Sequence, residues 1–441
     1  CAMHWTTTTV LICGYGILKE FRPGTPFLTP YLMSEVKNFT QSEVYGDIYP
    51  YWTYSYLLFM VPVFFLTDLL RYKPIIILEA VSLTSTWTLL VWGQGVLQMQ
   101  LMQIAFGLAS AAEIAYYSYL FAVVEESKYK RISSYIRSSA MVGKLIAFSV
   151  GQYLITSQTG TYLLLQQISL GAVSTVVFVS LFLPSVSAEQ IKRISKSYTV
   201  TPESCEEGEE LKTRSESPVC ATPSPSNSRV SQYFSRIVRS LSIYRTSPSV
   251  LKWSIWWALA TCGHYQICNY AQTLWVSMQD DVDHVKNGIA EIANTLISAL
   301  LSFGMQYHRI DWSRWGTLTL TLTSILIGIL QILSAFTHQI FVAYSCYVLS
   351  SAIHNMLITA ACANIASQLT SSIYGIVFGM NTLVAVLLQS LLTFVLVDSR
   401  GFNLPIREQF VIYGLFFFAM ATVFTLSSLI SFIKSRCQPI D

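Results

Sequence analysis

Residues 98–124 read QMQLMQIAFGLASAAEIAYYSYLFAVV, from Gln98 to Val124, with Glu113 as the one charged side chain in the run. A bilayer's hydrocarbon core is about 30 Å thick and takes roughly 20 consecutive apolar residues as a helix. The run is long enough and reads as a membrane span. Similar segments fall near 6–21, 51–70, 74–93, 138–157 and 161–183. After a polar stretch, six more lie near 251–276, 287–306, 315–336, 340–366, 374–397 and 409–433. The sequence therefore predicts an all-α membrane protein of about twelve transmembrane helices. Composition agrees, because 53% of the 441 residues are hydrophobic and only 12% are charged. A soluble domain carries about 25% charged residues. Mean hydropathy is +0.48.

The net charge of +3 is small and spread out, so nucleic-acid binding is not expected. No cleavable signal peptide is expected at the start of the chain. Of the nine cysteines, Cys13, Cys262, Cys268, Cys346 and Cys362 lie in apolar segments, and no CxxC pair occurs. Neither a disulfide framework nor a zinc site is expected, and no cofactor is implied.

Basic residues orient the chain. With both termini in the cytoplasm, the inside segments hold Arg71, Lys73, Lys128, Lys130, Arg131, Arg137, Arg309, Arg314, Lys434 and Arg436. The outside holds Lys37, Lys286, Arg400 and Arg407, with Arg22 at the edge. Ten against five follows the positive-inside rule for a multi-pass protein, here of the plasma membrane. Asn38-Phe39-Thr40 is then an outside glycosylation sequon at Asn38.

Residues 184–250 form the one long connection, rich in Ser and Pro and with acids at Glu206, Glu207, Glu209 and Glu210. This composition reads as a disordered cytoplasmic linker. It divides the chain into a six-helix bundle over 5–183 and another over 251–436. Two such halves joined by a long inside loop are the layout of major facilitator transporters, whose substrate site lies mid-membrane between the halves.

Ionisable groups in a membrane core are costly and mark a pathway or a pair. Here they are Lys19, Glu20, Glu79, Glu113, Lys144, His264, Glu291 and His354. Glu113 stands far from either end of its helix, with Tyr116 about one turn on and on the same face. A carboxylate beside an aromatic ring suits an organic cation, through charge and cation–π attraction. The alternative is a Glu113–Lys144 ion pair across adjacent helices. Lys19 and Glu20 read as side chains snorkelling to the outer interface. Glu79 reads as structural, Glu291 as facing an outer vestibule, and Trp52 as an interfacial anchor.

Several stretches carry a resemblance. They include Arg22-Pro23-Gly24-Thr25-Pro26-Phe27-Leu28-Thr29-Pro30-Tyr31-Leu32, Trp52-Thr53-Tyr54-Ser55-Tyr56-Leu57 and Pro62-Val63-Phe64-Phe65-Leu66-Thr67-Asp68. Others are Ala111-Ala112-Glu113-Ile114-Ala115-Tyr116, Val377-Phe378-Gly379-Met380-Asn381-Thr382 and Asp398-Ser399-Arg400-Gly401-Phe402-Asn403-Leu404-Pro405. On these the chain resembles the reduced folate carrier and thiamine transporter family, through nearly all helices outside 184–250. The resemblance implies a major facilitator fold and transport of a water-soluble B vitamin.

Folate carriers of that family place basic residues at the site, and thiamine transporters place acids and aromatics. This sequence has Glu113 and Ser351 where the folate carriers have arginine, and Gln389 where they have lysine. Trp52, Tyr116, Asn269 and Glu291 also follow the thiamine pattern. Thr25 departs from both branches by replacing an acid, and Lys19 and Lys144 are extra cations, available for an anion site or for charge pairs. The expectation is a secondary transporter in a lipid bilayer, with thiamine first and reduced folate next. A proton or an exchanged organic anion would be its coupling partner. The alternative is a receptor or scaffold that signals through residues 184–250. No enzymatic motif is present.

Overall fold

The computed structural model of the protein describes residues 5–70, 72–123, 129–185, 242–279, 285–305, 312–366, 368 and 374–437. Most of the 184–250 connection therefore lies outside the described residues. The first half holds α1 (Trp5–Glu20), a short α2 (Leu28–Met33), α3 (Pro50–Leu69), α4 (Lys73–Trp92), α5 (Val96–Val123), α6 (Tyr129–Thr156) and α7 (Tyr162–Phe182). The second holds α8 (Pro248–Val276), α9 (Asn287–Gly304), α10 (Trp312–Phe336), α11 (Ile340–Ala366), α12 (Tyr374–Leu392) and α13 (Ile406–Cys437). Leaving α2 aside, twelve helices of at least sixteen residues cross the molecule among the described residues, as the apolar runs predict. Six of the spans are long and apolar enough to cross a membrane on those grounds alone. α1 falls outside that set, and it carries Lys19 and Glu20 at its end.

Proline and hydroxyl caps set several helix starts. Pro50, Pro74 and Pro248 occupy the first turns of α3, α4 and α8, where the missing N–H costs nothing. Thr161 and Ser247 accept from Leu164 N–H and Val250 N–H at the starts of α7 and α8.

The first membrane crossing departs from expectation. α1 ends at Glu20, but the chain does not leave the molecule there. It runs through one 3-10 turn, Thr25–Phe27, into α2, and the Tyr31 hydroxyl then reaches Leu90 O, near the end of α4. Pro23 explains the break, because it has no N–H and its ring would meet the Lys19 carbonyl if the helix continued. Non-helical backbone is tolerated at membrane depth only where protein satisfies it. Here α7 supplies partners: Gly24 N–H donates to Ser169 Oγ at 3.1 Å, and Gln166 Nε2 donates to Gly24 O at 3.1 Å. A side chain at Gly24 would collide with Gln166, a Cβ falling 2.3 Å from its oxygen. Lys19 and Glu20 are thus buried in mid-span rather than snorkelling to the outer interface.

Within the first half α1 packs on α6, α3 and α4 pack on α5, and α4 packs on α7. In the second, α8 packs on α11 and α12, α9 on α11, and α10 on α13. The halves meet along α3 with α12 and along α6 with α9. At the side away from the termini a single apolar core joins the two, including Tyr31, Val44, Trp87 and Met99 with Tyr270, Trp275 and Tyr344. Toward the termini the first half keeps its own core, with Ile12, Tyr15, Ile76, Tyr116 and Val176. The halves therefore share one core on the far side, while toward the termini the first half has a core of its own.

α1 approaches α6 closely at Gly143, where a Cβ would lie 2.5 Å from Ile17 O. Gly143→Val must push α1 away, at a cost of about 1–3 kcal/mol. A lower melting temperature and less protein at the cell surface are expected. Gly171→Ala, which adds a Cβ with nothing within 4 Å, should leave both unchanged.

Candidate functional site

Two charge clusters form around the break in the first crossing. Tyr15 and Lys19 are one turn apart on α1 and share a face. Lys19 Nζ lies 2.6 Å from Glu79 Oε1 on α4 and 2.9 Å from Glu113 Oε1 on α5. The Tyr15 hydroxyl donates to Glu79 Oε2 at 2.9 Å. The Lys19 ammonium also stands 4.5 Å from the centroid of the Tyr116 ring, and Tyr15 stacks on Tyr116 at 5.1 Å. The Lys19 and Glu79 side chains are 3% and 2% exposed, against 37% for Glu113.

The second cluster centres on Glu20. Its Oε2 accepts from Arg22 Nη2 at 2.6 Å and stands 3.6 Å from Lys144 Nζ. The alternative Glu113–Lys144 pair is therefore not formed. α1 lies against α6 and presents Glu20 to Lys144, while Lys19 takes Glu113. Glu79, near the start of α4, anchors the first cluster through Lys19 and Tyr15.

A cavity of about 220 Å³ opens beside these clusters, between the halves. From the first half it is lined by Arg22, Thr25, Trp52, Trp87, Phe106 and Gln166, among others, and from α8 by Tyr265, Cys268, Asn269 and Gln272. The Arg22 guanidinium stands 5.4 Å from the Trp87 ring centroid and 5.9 Å from that of Phe106. Trp52 is part of the cavity wall and not an interfacial anchor: it stacks on Tyr56 and Phe106, and its Nε1 donates to Ser110 Oγ at 3.1 Å.

Of the residues predicted for the site, Trp52 and Asn269 line this cavity. Glu113 and Tyr116 lie deeper toward the termini, and seven residues separate Glu113 from Phe106, about 10 Å along the helix. Glu113 is within electrostatic reach of Tyr56 and, across the interface, of Tyr265. Glu291 is half-buried near the start of α9. It accepts from the Tyr347 hydroxyl at 2.8 Å and from Asn294 Nδ2 at 3.3 Å, and Tyr347 links it to Cys268 on the cavity wall. Gln389 is fully buried at the seam, where its Nε2 faces Thr53 Oγ1 at 3.4 Å and its backbone carbonyl accepts from Gln266 Nε2. Ser351 is fully buried. His264 and His354 stack with ring centroids 4.0 Å apart.

The sequence reading left Arg22, Trp87, Phe106, Gln166 and Gln272 out of the site. The cluster Pro23-Gly24, followed by Pro26 and Pro30, was the signal that a helix breaks here within the membrane.

The far side of the cavity is closed by hydrogen bonds between the halves. Gln272 Oε1 accepts from Thr29 N–H at 3.2 Å, and its Nε2 donates to Thr25 O at 3.0 Å. Asn287 Nδ2 donates to Pro26 O at 3.1 Å. Gln41 donates to Thr273 O, Gln152 to Val285 O, and the Tyr54 hydroxyl to Asp398 Oδ2 at 2.7 Å. Burial raises the affinity of Asp398 for a proton, but hydrogen bonds from Arg400 and Tyr54 outweigh it and hold the carboxyl below its ordinary pKa. Asn38 is exposed on this side, in the connection between α2 and α3.

Comparison with known proteins follows this geometry. The profile of the family described as Reduced folate carrier matches residues 3–412. The chain is 49% identical over 434 residues to Folate transporter 1 of Caenorhabditis elegans, covering 98% of this chain and 94% of that one. It is 38% identical over 463 residues to Thiamine transporter 1 of Mus musculus, covering 98% and 91%. Among solved structures, the POT family transporter PepTSo superposes with a TM-score of 0.67 at 12% identity, covering 97% of this chain and 98% of that one. That likeness speaks for the fold.

Gln272 is the side chain that pairs both an N–H and a C=O of the broken helix. Gln272→Ala removes two hydrogen bonds across the seam, each worth about 0.5–1.5 kcal/mol. A cysteine placed at Leu28, on the cavity wall, should then react several-fold faster with a membrane-impermeant thiol reagent added from the far side. An unchanged rate would show that the other bonds hold the seal without Gln272.

Proposed function

The chain belongs to the reduced folate carrier family, and from that premise we propose that it carries thiamine across the membrane by alternating access. It is a multi-pass membrane transporter and not an enzyme. The observation that carries the thiamine reading is the charge balance between the halves. Among the described residues, Lys19, Arg22 and Lys144 face Glu20, Glu79 and Glu113, while Glu291 has no ion-pair partner. The site region is therefore one negative charge in excess, which suits a monovalent organic cation. Trp52 and Tyr265 offer flat faces to a heteroaromatic ring, and Asn269 offers a neutral amide.

The second reading is a reduced folate. Arg22 on the cavity wall favours it, as does the 49% identity with a relative named Folate transporter 1. The Glu20 cluster, with two cations to one acid, would face the carboxylates.

We propose the two bundles, 5–183 and 251–436, as the moving halves. The far-side bonds and the shared core support a state closed there. The 44% exposed Lys144 side chain and the 37% exposed Glu113 support a path open toward the termini. The count of basic residues puts the termini in the cytoplasm and Asn38 outside, at the plasma membrane. The coupling partner is proposed as a proton or an exchanged organic anion. The stacked His264–His354 pair would take the first, and the Arg22 and Lys144 cations the second. The receptor reading finds no support in the family or in the relatives.

Uptake of labelled thiamine and of a labelled reduced folate should be compared in cells lacking carriers for both. Thiamine uptake is expected, falling at least tenfold in Glu113→Gln at equal surface expression. Folate uptake alone would reverse the order of the two readings.

A further inference from the structure

The groove between α5 and α1 already holds a cation, and it belongs to the protein. We propose that Lys19 is a tethered counter-cation that sets which charged substrates this carrier accepts, by filling the seat that Glu113 and Tyr116 form. The proposal rests on the vitamin-carrier reading above.

The seat is defined by contacts. A carboxylate and an aromatic face one turn apart on α5 are the two elements that hold an organic ammonium ion. Lys19 Nζ meets both, at 2.9 Å from Glu113 Oε1 and 4.5 Å from the Tyr116 centroid. These are the distances a substrate's own cationic group would adopt.

Lys19 is not held by Glu113 alone. Its shorter contact is to Glu79, at 2.6 Å. Glu79 is buried and is fixed in turn by the Tyr15 hydroxyl. The ammonium is thus anchored on the Glu79 side and leans on Glu113, which remains more than one third exposed. Glu113 is within electrostatic reach of Tyr56 and of Tyr265 of the other bundle.

Two consequences follow. A cation approaching Glu113 from the cavity meets a carboxylate whose charge is already shared, beside a fixed like charge in a medium less polar than water. Simple ammonium ions, which offer charge and little else, are rejected. A flat cationic vitamin still binds, because stacking on Trp52 or Tyr265 adds an attraction that Lys19 does not oppose. Lys19 is therefore a specificity-determining residue: it makes the site demand an aromatic ring as well as a charge.

The test uses the full chain with three variants. Lys19→Met leaves the buried Glu79 without its cation, with only the Tyr15 hydroxyl beside it, and carries a folding risk. Lys19→Met/Glu79→Gln removes that carboxylate as well, keeps the net charge of the cluster at −1, and leaves Glu113 as its one charged member. Thiamine KM and inhibition by tetramethylammonium are measured for uptake, and the melting-temperature shift with each cation is measured on purified protein. In the double variant, thiamine KM is expected to fall about tenfold or more, with tetramethylammonium becoming an inhibitor and a stabilising ligand. Adding Glu113→Gln should cancel both gains.

A double variant that reaches the surface with unchanged thiamine KM and no response to tetramethylammonium would overturn the proposal and leave Lys19 as a strut between helices. Loss of folate uptake without any gain in cation binding would overturn it too, in favour of an anion anchor. Absence of uptake of either vitamin by the unmodified chain would count against the vitamin-carrier reading. The melting shifts with tetramethylammonium would still decide the role of Lys19.

Discussion

The organisation of this protein depends on backbone polar groups left open where the first crossing breaks at Arg22-Pro23-Gly24. In a bilayer an unsatisfied N–H or C=O costs several kcal/mol, so the break persists only where side chains complete it. Gln166 and Ser169 do so from within the same bundle. Gln272 and Asn287 do so from the other. The same interruption also brings Lys19, Glu20 and Arg22 into mid-span, where they organise α4, α5 and α6 around them. The break, the charge clusters and the far-side seal are thus one construction.

That construction makes the seal reversible. Parting the halves on the far side releases Thr25 O, Pro26 O and Thr29 N–H, which then need water. An opened far side supplies that water, and a closed one replaces it with Gln272 and Asn287. The exchange is close to neutral, in keeping with a net worth of about 0.5–1.5 kcal/mol for a typical hydrogen bond. Substrate then needs only a modest difference in affinity between the two states to shift the balance.

Helix positions were legible in the sequence because the bilayer dictates length. The run read as 98–124 is α5, Val96–Val123, and the run read as 74–93 is α4, Lys73–Trp92. Partner choice was not legible. Depth along the chain left Lys144 and Glu113 within reach of each other, but an ion pair also requires the two helices to turn their charged faces together. α1 stands against α6 and presents Glu20 to Lys144, so Glu113 meets Lys19 instead. The position of Lys19 was misread for a related reason. Two charges beside a Pro-Gly pair look like the end of a span when the residues beyond are not counted as its continuation. Trp52 and Asn269 were assigned to the site through the family resemblance, whereas Arg22 needed the break to be seen first.

The halves also divide the electrostatic labour. Among the described residues, the mid-membrane ion pairs lie within the first bundle, and the second meets it mainly through neutral amides and hydroxyls: Gln272, Asn287 and Gln389. One charge at the seam, Asp398, is neutralised within its own bundle, whereas Glu291 on α9 is held by the neutral donors Tyr347 and Asn294. Asp398 is held by Arg400 through bonds of 2.8 and 2.7 Å, so that Tyr54 crosses the gap as a neutral donor. The reason is kinetic as much as energetic. Separating a buried ion pair leaves an uncompensated charge and costs about 3–5 kcal/mol, whereas an amide hydrogen bond exchanges for water at little net cost. A carrier that must open and close on every cycle can keep its buried ion pairs on one rocking body and meet the other with amides, and this chain distributes its mid-membrane pairs in that way.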